Sequence, residues 1–544
     1  MRLPSIFSRR DVVVENAGQK AMPTLKPTPT PLSCLSTRFF WSVLCVLLLA
    51  RAGLAALLPM TGDEAYFVLW GERLAAGYYD HPPMVGWWLH ALLHFSRAEW
   101  VLRLPALLLP LLLAAVAYWL LLRQGVLRAR AAALLILLAP VNVWNVLITT
   151  DTPVLLFSLL SALAYLSAQT AKRQAVYLLG YALAGAFLGL AFLGKYFAAL
   201  LGIAYLVHTL RVRGVRGVGA LMLLLLVALP APLFNLWWNS AHCWDNILFN
   251  FVNRQQAVVP SWRNPVFYAL AMFYLLTPWL LSALWRARQR VRAALSEQLE
   301  VRSLLYLAAL PLGFLALLSC FRPVGLHWPV AFIPFVLLLA AYVLPLPQLD
   351  RVLRYSAFFA LAHWALIVAL ALTPVQTWRH SAQYDSIVLT TDTQGLLAAL
   401  APYAQNYVLA SEGYSPAAIL AFHAQKPVPV FGEGSLHARQ DDSFSDWRAF
   451  DGGNILILKK GSNSPDALSS AYADYFSRIE FRQLEFAGAQ YSLVLGQGYR
   501  YEDYREQVLR RIRARFYRIP AWLPQRRDCP FTARYFPDEL AHAN

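Results

Sequence analysis

The sequence predicts a mainly α protein: a polytopic bundle of about eleven transmembrane helices, thirteen at most, followed by an extracytoplasmic α/β domain. Three observations predict it. Of 544 residues, 58% are hydrophobic and only 14% charged, against roughly 25% charged in soluble proteins. The apolar residues come in long runs, among them Trp41 to Ala50, Leu104 to Leu122 and Leu221 to Leu236, and about 20 such residues cross a hydrocarbon core. Beyond about residue 383 the runs become short and are bounded by Gly, Pro, Asn or Gln, the pattern of strands.

The net charge of +17 suggests nucleic acid until its positions are read. Lys and Arg cluster in short tracts between apolar runs, at Arg123 to Arg130, Lys172-Arg173, Arg211 to Arg216 and Arg286 to Arg292. These are the basic cytoplasmic loops of the positive-inside rule, so membrane lipids are partners and nucleic acid is not. The five cysteines, Cys34, Cys45, Cys243, Cys320 and Cys529, show no paired spacing, and a disulfide framework is not expected.

Residues 1–38, with Arg9 and Arg10, read as a cytoplasmic tail before a retained first helix. From there the chain alternates. Span 1 (about 39–58) exits to a long outer loop, 59–100. Span 2 (101–122) returns to the first basic loop. Spans 3 (131–148) and 4 (153–170) flank Thr149-Thr150-Asp151, and spans 5 (176–193) and 6 flank Gly194-Lys195-Tyr196. Span 7 (218–237) leads to a second outer loop, 238–264, and span 8 returns to the most basic tract. Spans 9 (303–320) and 10 (328–345) flank Phe321-Arg322-Pro323, and span 11 (355–373) exits for the last time. Every basic tract falls on one side, which places residues 39–375 in a multi-pass bundle of an inner (plasma) membrane and residues 383–544 outside. Arg51 falls within span 1, where an arginine is expensive and needs a partner; a structural ion pair is expected.

In the tail, strands are expected at Ser386–Leu389, Tyr407–Ala410, Val428–Phe431, Asn454–Leu458 and Tyr491–Leu495, with helices at Thr393–Ala404 and Pro416–Ala424. Residues 501–517 are basic and amphipathic, suited either to an anionic lipid surface or to packing on the domain.

The first outer loop is the richest in chemistry. It carries Thr61-Gly62-Asp63-Glu64-Ala65-Tyr66 and then Gly77-Tyr78-Tyr79-Asp80-His81-Pro82-Pro83. Tyr66, Phe67, Trp70, Trp87 and Trp88 surround these carboxylates. An aromatic belt accounts for some of the rings but not for a Tyr-Tyr-Asp-His-Pro-Pro segment.

Taken in order, Asp63-Glu64-Ala65-Tyr66, Tyr79-Asp80-His81-Pro82-Pro83, Thr150-Asp151-Thr152-Pro153, Gly194-Lys195-Tyr196 and His327-Trp328-Pro329 resemble the bacterial branch of the dolichyl-phosphate-mannose–protein mannosyltransferases. That branch includes the lipid A aminoarabinose transferase and has the GT-C fold. The resemblance covers roughly residues 40–450 and is strongest over 60–200. It implies a glycosyltransferase, hexosyl or pentosyl and inverting. Such an enzyme moves a sugar from a polyprenyl-phosphate donor to a glycolipid, polymer or protein acceptor at the outer face. By alternation all five motifs lie on that face.

Asp63 matches the family's catalytic aspartate and is expected to be the base, with Glu64 its neighbour. Tyr79, Asp80, His81, Asp151, Lys195, Arg254 and His327 are the expected donor-phosphate and substrate residues. His81 stands where relatives carry a lysine, held protonated by Asp80 or sharing a metal site with it. Three of them have a simpler alternative: Lys195 snorkelling, Asp151 capping span 4, His327 anchoring a helix end. Asn253 stands where relatives place a histidine. A divalent cation (Mg or Mn) therefore stays open, with Asp63, Asp80 and His242 as candidate ligands. A lipid or sugar transporter is the competing class, but no internal repeat supports it, and a non-catalytic scaffold would make Asp63 dispensable.

Overall fold

A computed structural model describes residues 33–255, 260–524 and 529–538 of the chain. Most of the expected N-terminal tail, including Arg9 and Arg10, lies outside the described residues, as does part of the second outer loop.

Among the described residues seven helical stretches are long and apolar enough to cross a membrane. They are Thr37–Leu57, Glu99–Gln124, Asp151–Gln169, Gln174–Phe192, Tyr196–Ala241, Leu299–Ser319 and Leu346–Leu372. Arg263–Leu276 and Pro278–Arg286 make an eighth if that pair, bent by 84°, is one span. The 46-residue stretch Tyr196–Ala241 holds both segments expected as spans 6 and 7, separated by the 3-10 turn Gly214–Gly217. Expected span 3 is a 12-residue helix, Val126–Leu137, followed after a break by Pro140–Trp144. The helical part of expected span 10, Val330–Val343, is also short. The chain is a multi-pass membrane protein.

Arg51 is 2% exposed, but no carboxylate among the described residues meets it. Its guanidinium donates to the carbonyls of Asn142, Ala106 (2.6 Å) and Asn145 (2.8 Å). Pro110 lies four residues beyond Ala106 inside the helix Leu104–Leu121 and has no N–H to give that carbonyl. The expected ion pair is therefore replaced by carbonyls that a proline and a helix end leave free.

The expected outer loop 59–100 is itself largely helical, Gly62–Glu72 and Met84–Leu93. Ala65, Tyr66, Val68 and Trp70 share one core with Val388, Leu389, Leu420 and Tyr491 of the C-terminal part. Gly62 sits so close that a Cβ there would lie 1.7 Å from the Ser415 hydroxyl. The loop and the C-terminal part thus bury one common face.

The C-terminal part carries a four-stranded sheet in the order β1-β2-β4-β3. The strands are β1 (Val408–Ser411), β2 (Ile455–Lys460), β3 (Phe476–Phe486) and β4 (Ala489–Tyr499), with β1 and β2 parallel and the rest antiparallel. Three of the expected strands are present. Residues 386–389 instead lie in the helix Tyr384–Thr391, because Tyr384, Val388 and Leu389 form one buried helical face. Val430 makes a single bridge to Ser411. β3 was not expected, since an edge strand with mostly exposed polar side chains has no apolar run. The basic segment 501–517 packs on the domain: Val508, Leu509, Ile512 and Phe516 are buried in its core. Cys243 and Cys529, 286 residues apart, form a disulfide that the spacing did not announce.

Candidate active site

Span 1 ends at Leu57, and Thr61 then caps the helix Gly62–Glu72. Its hydroxyl accepts from the Glu64 N–H (3.4 Å), while Glu64 Oε2 accepts from the Thr61 N–H (3.3 Å). This capping box fixes the first turn. Asp63 projects to the exposed side, and Glu64, 1% exposed, points inward.

Glu64 does not face the chemistry expected of it. Both its oxygens accept from Arg103, at 2.9 and 2.8 Å, and Oε1 also accepts from the Ile148 N–H at 3.2 Å. Arg103, itself 0% exposed, turns its remaining hydrogens to the carbonyls of Ala55, Leu58 and Pro59 at the end of span 1. A buried bidentate pair with every lone pair used is a structural joint. It locks span 1, span 2, the Asp63 helix and the Thr149-Thr150-Asp151 segment to one another.

The other motifs are tied in series. The Met84 N–H, just after the Asp80-His81-Pro82-Pro83 run, donates to Leu193 O (3.0 Å), next to Gly194-Lys195. Phe197 packs tilted against Trp328, ring centres 4.3 Å apart. Lys195, 7% exposed, donates to both oxygens of Asp151 at 2.9 Å, so Asp151 is an ion-pair partner, and Thr150 is the residue that precedes the helix. The His327 imidazole is pulled below its usual range by desolvation and then by Lys195, against the opposing fields of Asp151 and Asp63. The motif residues therefore surround one site.

The His81 imidazole is likewise pushed well below its usual range. Desolvation comes first, then the positive fields of Lys195, His327, Arg254 and His437. The expected protonated His81 paired with Asp80 is not what forms. Asp80 Oδ2 instead lies 3.8 Å from His437 Nδ1, while its Oδ1 is buried without a hydrogen-bond partner among the described residues. Arg254 stands over Phe249 (5.8 Å) and Trp328 (5.3 Å), and burial lowers its pKa while Asp80 opposes the shift.

Tyr79, expected at the substrate, is 1% exposed. Its hydroxyl accepts from Asn253 Nδ2 (3.1 Å), and its N–H donates to Gln440 Oε1 (2.6 Å). Asn253 therefore anchors a tyrosine. Among the described residues no three His, Cys, Asp or Glu side chains gather as a metal site. His242 is stacked on Trp238 at 4.4 Å with its Nδ1 on the Trp238 carbonyl. Asp63, Asp80 and His242 do not fit a divalent cation as a three-ligand set.

Two site residues escaped sequence reasoning altogether. Tyr414, on the helix Tyr414–Ala424, donates its hydroxyl to Asp63 Oδ1 at 3.0 Å. His437, on the 3-10 turn Leu436–Gln440, meets Asp80, and its carbonyl accepts from the Tyr66 hydroxyl (2.9 Å). Both belong to the C-terminal part, more than 350 residues further along the chain from their partners.

With this geometry the likeness to known proteins can be weighed. Residues 80–238 match the family described as dolichyl-phosphate-mannose-protein mannosyltransferase. The lipid A galacturonosyltransferase RgtD of Rhizobium johnstonii is 32% identical over 190 residues, 33% of this chain and 38% of that protein. The match thus spans well under half of that relative. ArnT of Cupriavidus metallidurans in the apo state superimposes with a TM-score of 0.57 at 17% identity, over 84% of this chain and 98% of ArnT. The same enzyme bound to undecaprenyl phosphate gives 0.57 at 16% identity. The chain is a polytopic membrane protein with the GT-C fold of ArnT, and over residues 80–238 it carries the sequence pattern of the dolichyl-phosphate-mannose–protein mannosyltransferases.

Proposed function

We propose that the protein transfers a glycosyl group from a polyprenyl-phosphate-linked donor to a glycolipid of the lipid A type, at the outer face of a bacterial inner membrane. The observation that carries this reading is the site itself: an exposed Asp63 carboxylate among cationic side chains, where the five motifs meet. Its fold is that of a protein solved with undecaprenyl phosphate bound, and its sequence relative is named for lipid A galacturonosyl transfer.

In this reading Asp63, steadied through Oδ1 by Tyr414, takes the proton of the acceptor hydroxyl through its free oxygen. The acceptor oxygen forms its bond to the anomeric carbon as the bond from that carbon to the phosphate oxygen breaks. One displacement inverts the centre, and the electron pair leaves on the phosphate. The phosphate's second negative charge is met by Arg254, with the Lys195–Asp151 pair beside it. Glu64 positions Asp63 without touching substrate.

Arg322 stands beside Arg254, its guanidinium 5.4 Å from the Trp328 ring. Among the described residues neither arginine has a carboxylate within ion-pair distance; each has its pKa lowered first by burial, and Arg322 further by Arg254. Two such cations fit a donor with a second anionic group, which favours a hexuronic acid over a pentose.

Residues 39–375 then form the catalytic module and residues 383–544 an extracytoplasmic domain. The Cys243–Cys529 disulfide supports that side, since such bonds persist in oxidising compartments. Purified protein in detergent, given a radiolabelled polyprenyl-phosphate hexuronate and lipid A, should produce labelled lipid A. No transfer with any polyprenyl-phosphate sugar would overturn the reading.

A further inference from the structure

We propose that His437 is a phosphate-binding residue of this site, supplied by the C-terminal part and aimed by Asp80. The inference rests on the transfer reading above and adds to it a substrate contact from outside the membrane bundle.

Asp80 is 5% exposed, and its Oδ1 has no hydrogen-bond partner among the described residues. A buried carboxylate oxygen left without a partner is costly, and the His437 imidazole stands 3.8 Å from the other oxygen, Oδ2. Catalytic hydrogen bonds are often this long without substrate and shorten when it binds. The imidazole is also well fixed. Its ring packs edge-on to Phe249 at 5.3 Å and against Tyr414 at 5.7 Å, and Tyr66 holds its backbone carbonyl. Its side chain remains 44% exposed, and Nε2 has no hydrogen-bond partner among the described residues.

The ring that His437 leans on is shared. The Arg254 guanidinium lies over the same Phe249, 5.8 Å from its centre. Asp80 and His81 on the first loop, Tyr66, Tyr414 and Arg254 are the titratable and charged groups around the imidazole. With Nδ1–H turned to Asp80, Nε2 is the free end. A phosphate there would sit between His437 and Arg254, and the imidazolium form would donate to Asp80 from one nitrogen and to the phosphate from the other. Both hydrogen bonds are charge-assisted, and the one to phosphate strengthens as the leaving group gains its second charge.

The test uses the full chain in detergent and undecaprenyl phosphate as probe. His437→Ala should weaken binding of the probe about ten- to a hundredfold, the range of a lost hydrogen bond to a charged group. His437→Lys, which keeps a cationic donor, should recover most of it. The Cys243–Cys529 disulfide and the melting temperature of each variant report folding. If His437→Ala does not fold, His437→Gln, polar but never cationic, is read in its place and should weaken binding in the same way. Wild-type affinity in a folded Ala or Gln variant, or equal weakening by Lys and Ala, would overturn the proposal. Weakened probe binding in a protein that transfers no sugar would leave the phosphate contact standing and remove only the transfer reading.

Discussion

The Tyr414 hydroxyl donates to Asp63 Oδ1 at 3.0 Å, joining a helix of the C-terminal part to a carboxylate in the first turn of the helix Gly62–Glu72. One oxygen of the carboxylate is thereby held, and in the proposed transfer the other takes the substrate proton. Asp63→Asn should reduce transfer at least a hundredfold, the scale of a lost general base. Tyr414→Phe, which removes only the hydroxyl, should lower kcat several-fold with little change in the donor's KM. Full activity in Asp63→Asn would end its assignment as base.

Glu64 and Arg103 should behave differently from their neighbour. Both are essentially unexposed, at 1% and 0%, and each satisfies the other, so breaking one leaves an uncompensated buried charge worth about 3–5 kcal/mol. Arg103→Ala should therefore lower the melting temperature sharply in detergent. Glu64→Gln keeps shape and some hydrogen bonds and should cost less stability. Where Glu64→Gln folds, it should retain more transfer than Asp63→Asn at saturating substrate, the comparison that separates positioning from chemistry.

The membrane bundle could be read in outline because lipid demands long apolar runs, but not its number of spans, since the expected third and tenth are short helices. The candidate site could be read in part, because Asp63, Asp80, His81, Lys195 and His327 sit in short ordered motifs that the fold gathers. Tyr414 and His437 could not. They belong to no motif, and they reach the site only because Gly62 lets the Ser415 backbone come close and because Tyr66 pins the His437 carbonyl. Glu64 misled for a related reason: adjacent carboxylates on a helix point about 100° apart, so one reached the surface while the other met Arg103. The disulfide was invisible at a separation of 286 residues.

Asp441 is a source of pH-dependent stability outside the membrane. Burial raises its pKa to about 7, partly offset by the Val430 N–H that its Oδ2 accepts at 3.0 Å. A carboxyl raised in the folded state contributes stability that is fully present below its unfolded value of 3.8 and is lost as pH rises through the folded one. Asp441→Asn removes the titration and keeps an acceptor for Val430. The difference in melting temperature between variant and wild type should therefore shift in the variant's favour from about pH 4 to about pH 7 and then level off. Parallel wild-type and variant curves would show that Asp441 is not the group responsible.

The Cys243–Cys529 bond ties the segment after span 7 to the end of the C-terminal part, and Asn253 and Trp244 reinforce that seam by donating to Phe516 O and Pro524 O. Of the five cysteines, Cys34, Cys45 and Cys320 are free. Denatured, unreduced protein should thus titrate with three thiols, and reduced protein with five. Cys243→Ser should cost about 2–5 kcal/mol, the usual range for a native disulfide. The loss should fall on the C-terminal part, so protease cleavage beyond residue 383 should accelerate while the membrane bundle stays intact. Because Phe249 and Arg254 lie just after Cys243, binding of undecaprenyl phosphate should weaken along with it. Five thiols in the unreduced protein would show that the bond does not form, and would remove the support it gives to an oxidising location for the site.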